Sequence, residues 1–164
     1  MPRGVMTIEQ LLTALTAGPL RIAEYTAALT QAQLHAEPAP GEWSANEVLA
    51  HLRSCADVWG DCIAMILDED KPTFRAVNPR AWITKTDYPE QEFQSSLQAF
   101  TTQRTALLAV LGSLSPKAWS RSAKVTGAGK ALDRTVYSYV DWMVEHEGPH
   151  LKQSRRIANT MRTK

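Results

Sequence analysis

The sequence predicts an all-α protein, a four-helix bundle, on three observations. Four segments carry apolar residues spaced three and four apart, the period of a helix that packs on one face. Strand-like alternation is nearly absent. The length of 164 residues suits a single domain spanning 1–164, large enough to bury a core without disulfides.

The first helix reads Ile8, Leu11, Leu15, Ile22, Tyr25 and Leu29, opened by a capping box from Thr7 to Gln10. Gly18-Pro19 interrupts it, and a proline there predicts a kink or break. The second helix starts at Ser44, which forms a capping box with Glu47, while Trp43 and Val48 sit where a hydrophobic staple closes. It runs to about Leu67, with Val48, Leu52, Cys55, Trp59, Cys62, Ile63 and Ile66 facing inward. The third follows Pro89 with Phe93, Leu97, Phe100, Arg104, Leu107 and Leu111, and closes at Gly112, where a C-terminal glycine belongs. The fourth runs from about Leu132 to Met161, with Leu132, Val136, Tyr139, Met143, His146, His150, Gln153 and Ile157 on one seam. Two connections are long, Asp68 to Tyr88 and Ser113 to Ala131, and loops of that length are commonly functional or mobile. Gly127-Ala128-Gly129 reads as a turn, because no strand precedes it and no GK[ST] follows.

An apolar content of 44%, a charged content of 21% and a net charge of +1 describe an ordinary globular chain and give no electrostatic reason to expect nucleic acid. The basic carboxyl end, from Lys152 through Arg155, Arg156 and Arg162 to Lys164, reads as a helix C-terminus with a solvated face. No apolar run approaches the ~20 residues of a membrane span, and residues 1–10 lack a signal-peptide core. A cytoplasmic location without a membrane partner is expected. Cys55 and Cys62 lie seven apart on one helix. At roughly 1.5 Å per residue their backbones stand ~10 Å apart, beyond disulfide reach, so reduced thiols are expected.

The chemistry concentrates in histidines. His146-Glu147-Gly148-Pro149-His150 fits the string HExxH, in which two imidazoles four apart project from one helical face toward one ion. The protease layouts that share this string need a downstream ligand, and after Glu147 there is no Asp, Glu or Cys, nor any His beyond His150. Pro149 removes a backbone donor and crowds the carbonyl of Glu145, which predicts a distortion of the helix at the pair. Two imidazoles on a buried stripe cost desolvation unless something pairs them, and a cation pairs both. The plain alternative is a set of separately satisfied polar residues. Spacing leaves the third ligand open among His51, His35 and the cysteines. His51, at the edge of the inward face of the second helix, is the best placed, whereas His35 among Ala36, Glu37, Pro38 and Pro40 reads as a solvated loop residue.

The run Pro40-Gly41-Glu42-Trp43-Ser44-Ala45-Asn46-Glu47-Val48-Leu49-Ala50-His51-Leu52 resembles the W-S-x-x-E-x-L-x-H-L opening of the DinB-like superfamily, and His146-Glu147-Gly148-Pro149-His150-Leu151-Lys152-Gln153 resembles its H-D/E-x-x-H-x-x-Q close. The two fall in the family's order, and the resemblance covers nearly the whole chain. It implies a DinB/YfiT-like four-helix bundle in up-down-down-up order, often a homodimer, holding a divalent metal such as nickel or zinc on three histidines. By motif match these are His51, His146 and His150, and Cys55 is left out of the ligand set. Relatives include thiol S-transferases that use bacillithiol or mycothiol, maleylpyruvate isomerase, and many uncharacterised hydrolases. The sequence departs from the common pattern in having Glu147 where Asp is frequent and Pro149 inside the motif, and neither change removes a ligand.

The resemblance implies a metal-dependent enzyme, a thiol S-transferase or a hydrolase acting on a small-molecule substrate in stress or detoxification, with a low-molecular-weight thiol as the second cofactor of a transferase. The alternative is a non-catalytic dimeric bundle that binds a metal or ligand, with Glu147 or Cys55 filling the remaining coordination. Three neutral imidazoles leave positions open for water or a thiol. Glu147, about 100° around the helix from His146, is assigned the catalytic role of proton acceptor or of a hold on an imidazole. Gln153 is assigned a hydrogen bond to a ligand, and Arg104, Tyr139, Trp59 and Trp142 are assigned to the substrate, with core packing or a buried ion pair as the plainer account of each. Metal affinity is expected to fall below about pH 6 as the imidazoles protonate.

Overall fold

The structure, a computed structural model, describes residues 2–164. Four long helices carry it: α1 (Ile8–Thr26), α3 (Ala45–Asp68), α5 (Phe93–Gly112) and α7 (Val136–Arg162). Between them lie the short helices α2 (Gln31–His35), α4 (Pro79–Trp82) and α6 (Pro116–Trp119) and three strands, β1 (Thr73–Arg75), β2 (Ser122–Thr126) and β3 (Leu132–Thr135). No helix among the described residues is long and apolar enough to cross a membrane.

Helices α1 and α3 each pack against both α5 and α7, so the four long helices form a ring in the order α1, α7, α3, α5. Helices α1 and α7 lie with their starts together, the Tyr137 hydroxyl donating to the Met6 carbonyl at 2.6 Å, and with their ends together, Arg162 donating to the Tyr25 carbonyl at 2.5 Å. The start of α3 meets the entry to α5, where the Asn46 side-chain amide donates to the Pro89 carbonyl at 3.0 Å. Thr7, Ser44 and Thr135 open α1, α3 and α7 with capping boxes.

The apolar interior falls into two clusters, one around Leu15, Trp59, Ile63 and Met143, the other around Ile22, Leu52, Phe100 and Ile157. Along α1, α5 and α7 the break between them is occupied by Gly18-Pro19, Arg104 and the stretch from His146 to His150. Arg104 and Glu147 are buried there and meet in a two-pronged ion pair, Nη2 to Oε2 at 2.9 Å and Nη1 to Oε1 at 3.2 Å.

That pair explains why α1 does not break at Gly18-Pro19, as the sequence led us to expect, but continues to Thr26. A proline at position 19 deprives the Leu15 carbonyl of its helical donor. Arg104 Nη1 supplies one at 2.7 Å. Gly18 leaves the space that the carboxylate fills, since a Cβ there stands 1.9 Å from Glu147 Oε1. Helix α7 likewise continues through Pro149 to Arg162. Pro149 and Glu145 both lie on the exposed side, where water can serve the freed carbonyl.

Three further expectations are corrected. The fold is not purely helical: β1 pairs parallel with β2, and β2 pairs antiparallel with β3, making a small sheet from strands of three to five residues. Strands so short leave no readable period. Leu132 belongs to β3 and is exposed, so the last helix begins at Val136, where Thr135 caps it. Gly112 is the last residue of α5 and not a left-handed residue beyond it, the end being closed by the Ser113 amide bonding to the Val110 carbonyl at 3.2 Å. The turn expected at Gly127-Ala128-Gly129 joins β2 to β3, with φ of +82° at Gly127, a conformation that favours glycine.

The connection from α3 to α5 is tied down rather than loose. Asp57 accepts from Trp82 Nε1 at 3.1 Å, from the Tyr88 hydroxyl at 2.6 Å and from Gln103 Nε2 at 2.8 Å. The buried Ser54 hydroxyl donates to the Pro79 carbonyl at 2.6 Å, which holds α4 against α3.

Removing one partner of the buried ion pair leaves an uncompensated charge, so Glu147→Ala should lower the unfolding free energy by about 3–5 kcal/mol in urea denaturation. Gly18→Ala, which drives a methyl into the Glu147 carboxylate, should cost about 1–3 kcal/mol by the same measurement.

Candidate metal centre

His51 faces inward because α3 buries the turn from Val48 to Cys55, and it is itself only 5% exposed. His146 and His150 are half-buried and lie one helical turn apart on α7, which packs against α3. The three rings meet. His51 Nε2 and His146 Nε2 are 3.2 Å apart, and the His150 ring centre lies 4.9 Å from that of His51 and 4.7 Å from that of His146.

Cys55, and not His150, completes the grouping of ligand atoms with His51 and His146. Its Sγ is 3.6 Å from His51 Nε2, and the ligand atoms of His51, Cys55 and His146 all lie within 4.8 Å of one another, a grouping that could hold a metal ion. Helical spacing signals the closeness, since residues four apart share a face. Sequence reasoning set Cys55 aside because the histidines already supplied three donors.

The surroundings favour neutral imidazoles. Burial, and next the neighbouring His150, push His51 and His146 from the ordinary 6.5 down to about 4, with the Arg80 guanidinium adding to both. Both rings are therefore neutral at neutral pH, and protons compete with a metal for them only well below the pH 6 expected from an ordinary imidazole. Burial pushes the Cys55 thiol up to about 12, so it is protonated unless a cation draws the proton off.

Gln153 Oε1 lies 2.9 Å from His150 Nδ1 and accepts its hydrogen when that nitrogen is protonated, which orients the ring. The Trp43 ring stacks on His150 at 6.3 Å and 13° and stands 5.3 Å from His51. Trp59 presents its face or edge to His146 at 5.0 Å and 85°, and Trp142 packs on Trp59 at 4.8 Å. Trp59, Tyr139 and Trp142 thus come together beside His146, where they line a cavity of about 60 Å³ with Arg134. Glu147 and Arg104 are paired with each other, the buried ion pair that was the plainer account of Arg104. Each carboxylate oxygen of Glu147 receives a guanidinium hydrogen, and Arg104 also donates to the Leu15 carbonyl. Both residues are buried. His35 is exposed at the end of α2 and takes no part.

Two residues near the centre were given no role at the site by the sequence. Trp43 was read as a helix staple and as part of the family's opening motif. Arg80 lies in the long connection and comes within electrostatic reach of His51, His146 and Cys55 only through the fold.

The low pKa values make metal-free stability depend on pH in a defined direction. The unfolded chain binds protons at His51 and His146 near pH 6.5 and the folded chain near pH 4, so their contribution is complete above 6.5 and is lost as pH falls toward 4. The urea midpoint of the metal-free protein should drop across that window, and His51→Gln should flatten the drop.

A family model described as the DinB superfamily matches residues 14–154. No curated protein matches the sequence. Among solved structures, YfiT from Bacillus subtilis, described as "a probable metal-dependent hydrolase with an unusual four-helix bundle topology", superposes with a TM-score of 0.79 at 20% identity, covering 98% of this chain and 93% of its own. At that identity the likeness establishes the shared bundle fold. With the family model spanning most of its length, the chain belongs to the DinB superfamily.

Proposed function

We propose that the protein is a divalent-metal-dependent enzyme that hydrolyses a small-molecule substrate, with the ion held by His51, His146 and His150. The observation that carries this reading is the approach of two imidazole nitrogens, 95 residues apart in sequence, to 3.2 Å. Nitrogens bound to a tetrahedral zinc at about 2.0–2.1 Å stand about 3.4 Å from each other, so the pair needs little adjustment to share an ion. The donor set also fits in charge, because His51 and His146 are neutral at neutral pH. The description of YfiT as a probable metal-dependent hydrolase supports the choice of reaction.

A divalent ion, zinc or nickel, supplies Lewis acidity that activates water at neutral pH, or a low-molecular-weight thiol in a transferase. The chain's own residues do the rest. Gln153 holds the His150 ring through Nδ1, leaving Nε2 as the donor. Trp43 and Trp59 wall the rings and limit water. Glu147 secures α7 through its ion pair with Arg104. An up-down-down-up helix order, supported by the paired ends of α1 and α7, a homodimeric state and a cytoplasmic location complete the reading.

One distance favours a second reading. With bonds of about 2.3 Å to sulfur and about 2.1 Å to nitrogen, the edge of a tetrahedral zinc site is about 3.6 Å. Cys55 Sγ and His51 Nε2 are 3.6 Å apart. A thiolate there closes the centre and makes it a metal-binding bundle without catalysis.

Elemental analysis of protein purified without a histidine tag separates the two. About one zinc or nickel per chain is expected, lost in His150→Ala and retained in Cys55→Ala. Loss of the metal in Cys55→Ala as well as in His150→Ala, with a thiolate-to-metal charge-transfer band in the cobalt form, establishes the closed centre. Loaded protein is expected to turn over small esters or amides, with bacillithiol, mycothiol and glutathione plus an electrophile as the transferase arm; turnover in neither arm rejects the enzyme.

A further inference from the structure

We propose that a recess beside the histidine cluster binds the oxyanion of a small carboxylate or phosphate, and that Arg80 and Arg156 are the groups that hold it. As a statement about the enzyme's substrate class this rests on the metal-dependent reading above. As a binding site it stands on its own geometry.

The recess has a volume of about 460 Å³ and is lined by Glu42, Trp43, Arg80, His150, Gln153 and Arg156, among others. Its inner wall belongs to the candidate metal centre, since the His150 ring lies 4.9 Å from His51. A molecule seated in the recess therefore lies against one of the proposed ligands.

Arg80 is brought there by a built support. It sits on α4, where the fully buried Ser54 hydroxyl holds the Pro79 carbonyl at 2.6 Å and the Asn78 side chain accepts from the Arg80 amide at 2.9 Å. Its guanidinium stands 5.4 Å from the centre of the Trp43 ring, within range of a cation–π contact that leaves its hydrogens free for other acceptors. Arg156 enters from α7, two turns beyond Gly148.

Neither guanidinium has a carboxylate partner. The ion pairs among the described residues are Arg3 with Asp141 and Arg104 with Glu147. Glu42 lines the same recess outside salt-bridge reach of either arginine, so two positive groups face one negative one. The histidines beyond offer no compensating negative charge, and the positive field of Arg80 reaches His51 and His146. A concave site with two unpaired guanidinium forks and excess positive charge selects an oxyanion, which two such forks can each bind through parallel N–H bonds. The substrate class that follows is a small molecule carrying a carboxylate or phosphate near its reacting bond.

The test is nitrogen-15 NMR of the full chain, metal-free and zinc-loaded, titrated with succinate, inorganic phosphate and the neutral analogue succinamide. At least one anion should saturably shift the Arg80 and Arg156 side-chain Nε–H signals and the Trp43 indole signal, and succinamide should not. The stronger anion identifies the carboxylate or the phosphate as the favoured source. The double variant R80Q/R156Q, its fold checked by an otherwise unchanged spectrum, should weaken that binding about tenfold or more, the equivalent of about 1.4 kcal/mol. No saturable response to either anion, an equal response to succinamide, or undiminished binding by the double variant overturns the proposal. Zinc binding is read separately from the imidazole signals of His51 and His146. Anion binding without zinc binding defeats the metal reading and leaves the recess standing as a site, while zinc binding without an anion response defeats the recess alone.

Discussion

The buried pair of Arg104 and Glu147 is the constraint on which the arrangement of the bundle depends. It joins α5 to α7, helices that face one another across the ring, and through the Leu15 carbonyl it also binds α1. A buried ion pair adds little net stability when compared with apolar packing, because both charges lose their water. Its effect here is specificity of placement. Only one axial and rotational setting of α7 puts its carboxylate into the space left by Gly18 and against the guanidinium. Gly18 supplies the space, and Arg104 serves both the Glu147 carboxylate and the Leu15 carbonyl that Pro19 orphans.

The same turn of α7 carries the other half of the site. His146 and His150 flank Glu147 in sequence but are rotated away from it toward α3, since each residue turns the helix by about 100°. Locking the carboxylate on one side therefore aims the imidazoles on the other, where His51 waits on α3. The separation of the two polar features keeps the carboxylate off the histidines. Their neighbours are aromatic rings, Trp43 and Trp59, and burial keeps His51 and His146 neutral. A site made of neutral nitrogen donors in a dry, aromatic setting has the properties that borderline divalent metals seek.

The approach to that site is built by segments that carry no regular helical pattern. The small sheet closes the end of the connection that begins after Asp68, and β1 leads within a few residues into α4. Ser54, Asp57 and the ring of Tyr88, over which the Arg53 guanidinium lies at 3.7 Å, fasten the rest. A bundle of this kind can host several reactions on one metal site, because the chemistry is chosen by what surrounds the open side rather than by the helices. In this chain the surroundings are Arg80, Trp43 and Arg156.

The sequence by itself determined the long helices and named candidate donors. Caps at Thr7 and Ser44, the inward stripe of α3 from Val48 to Ile66, and the four-residue spacing of His146 and His150 are local patterns, and local patterns are written in consecutive residues. The His51 assignment was reached through family motifs as much as through spacing, because nothing in either helix alone says that the two will touch. What only the tertiary structure decided were relations between distant residues: that Pro19 does not break α1 because Arg104 serves the carbonyl it orphans, that Glu147 points to Arg104 and away from the histidines, that Cys55 comes within reach of His51 and His146 together, and that Arg80 leaves its loop to stand beside them. Each of these depends on the satisfaction of a charge or a backbone group by a partner from another helix, and no one-dimensional period records which partner that will be.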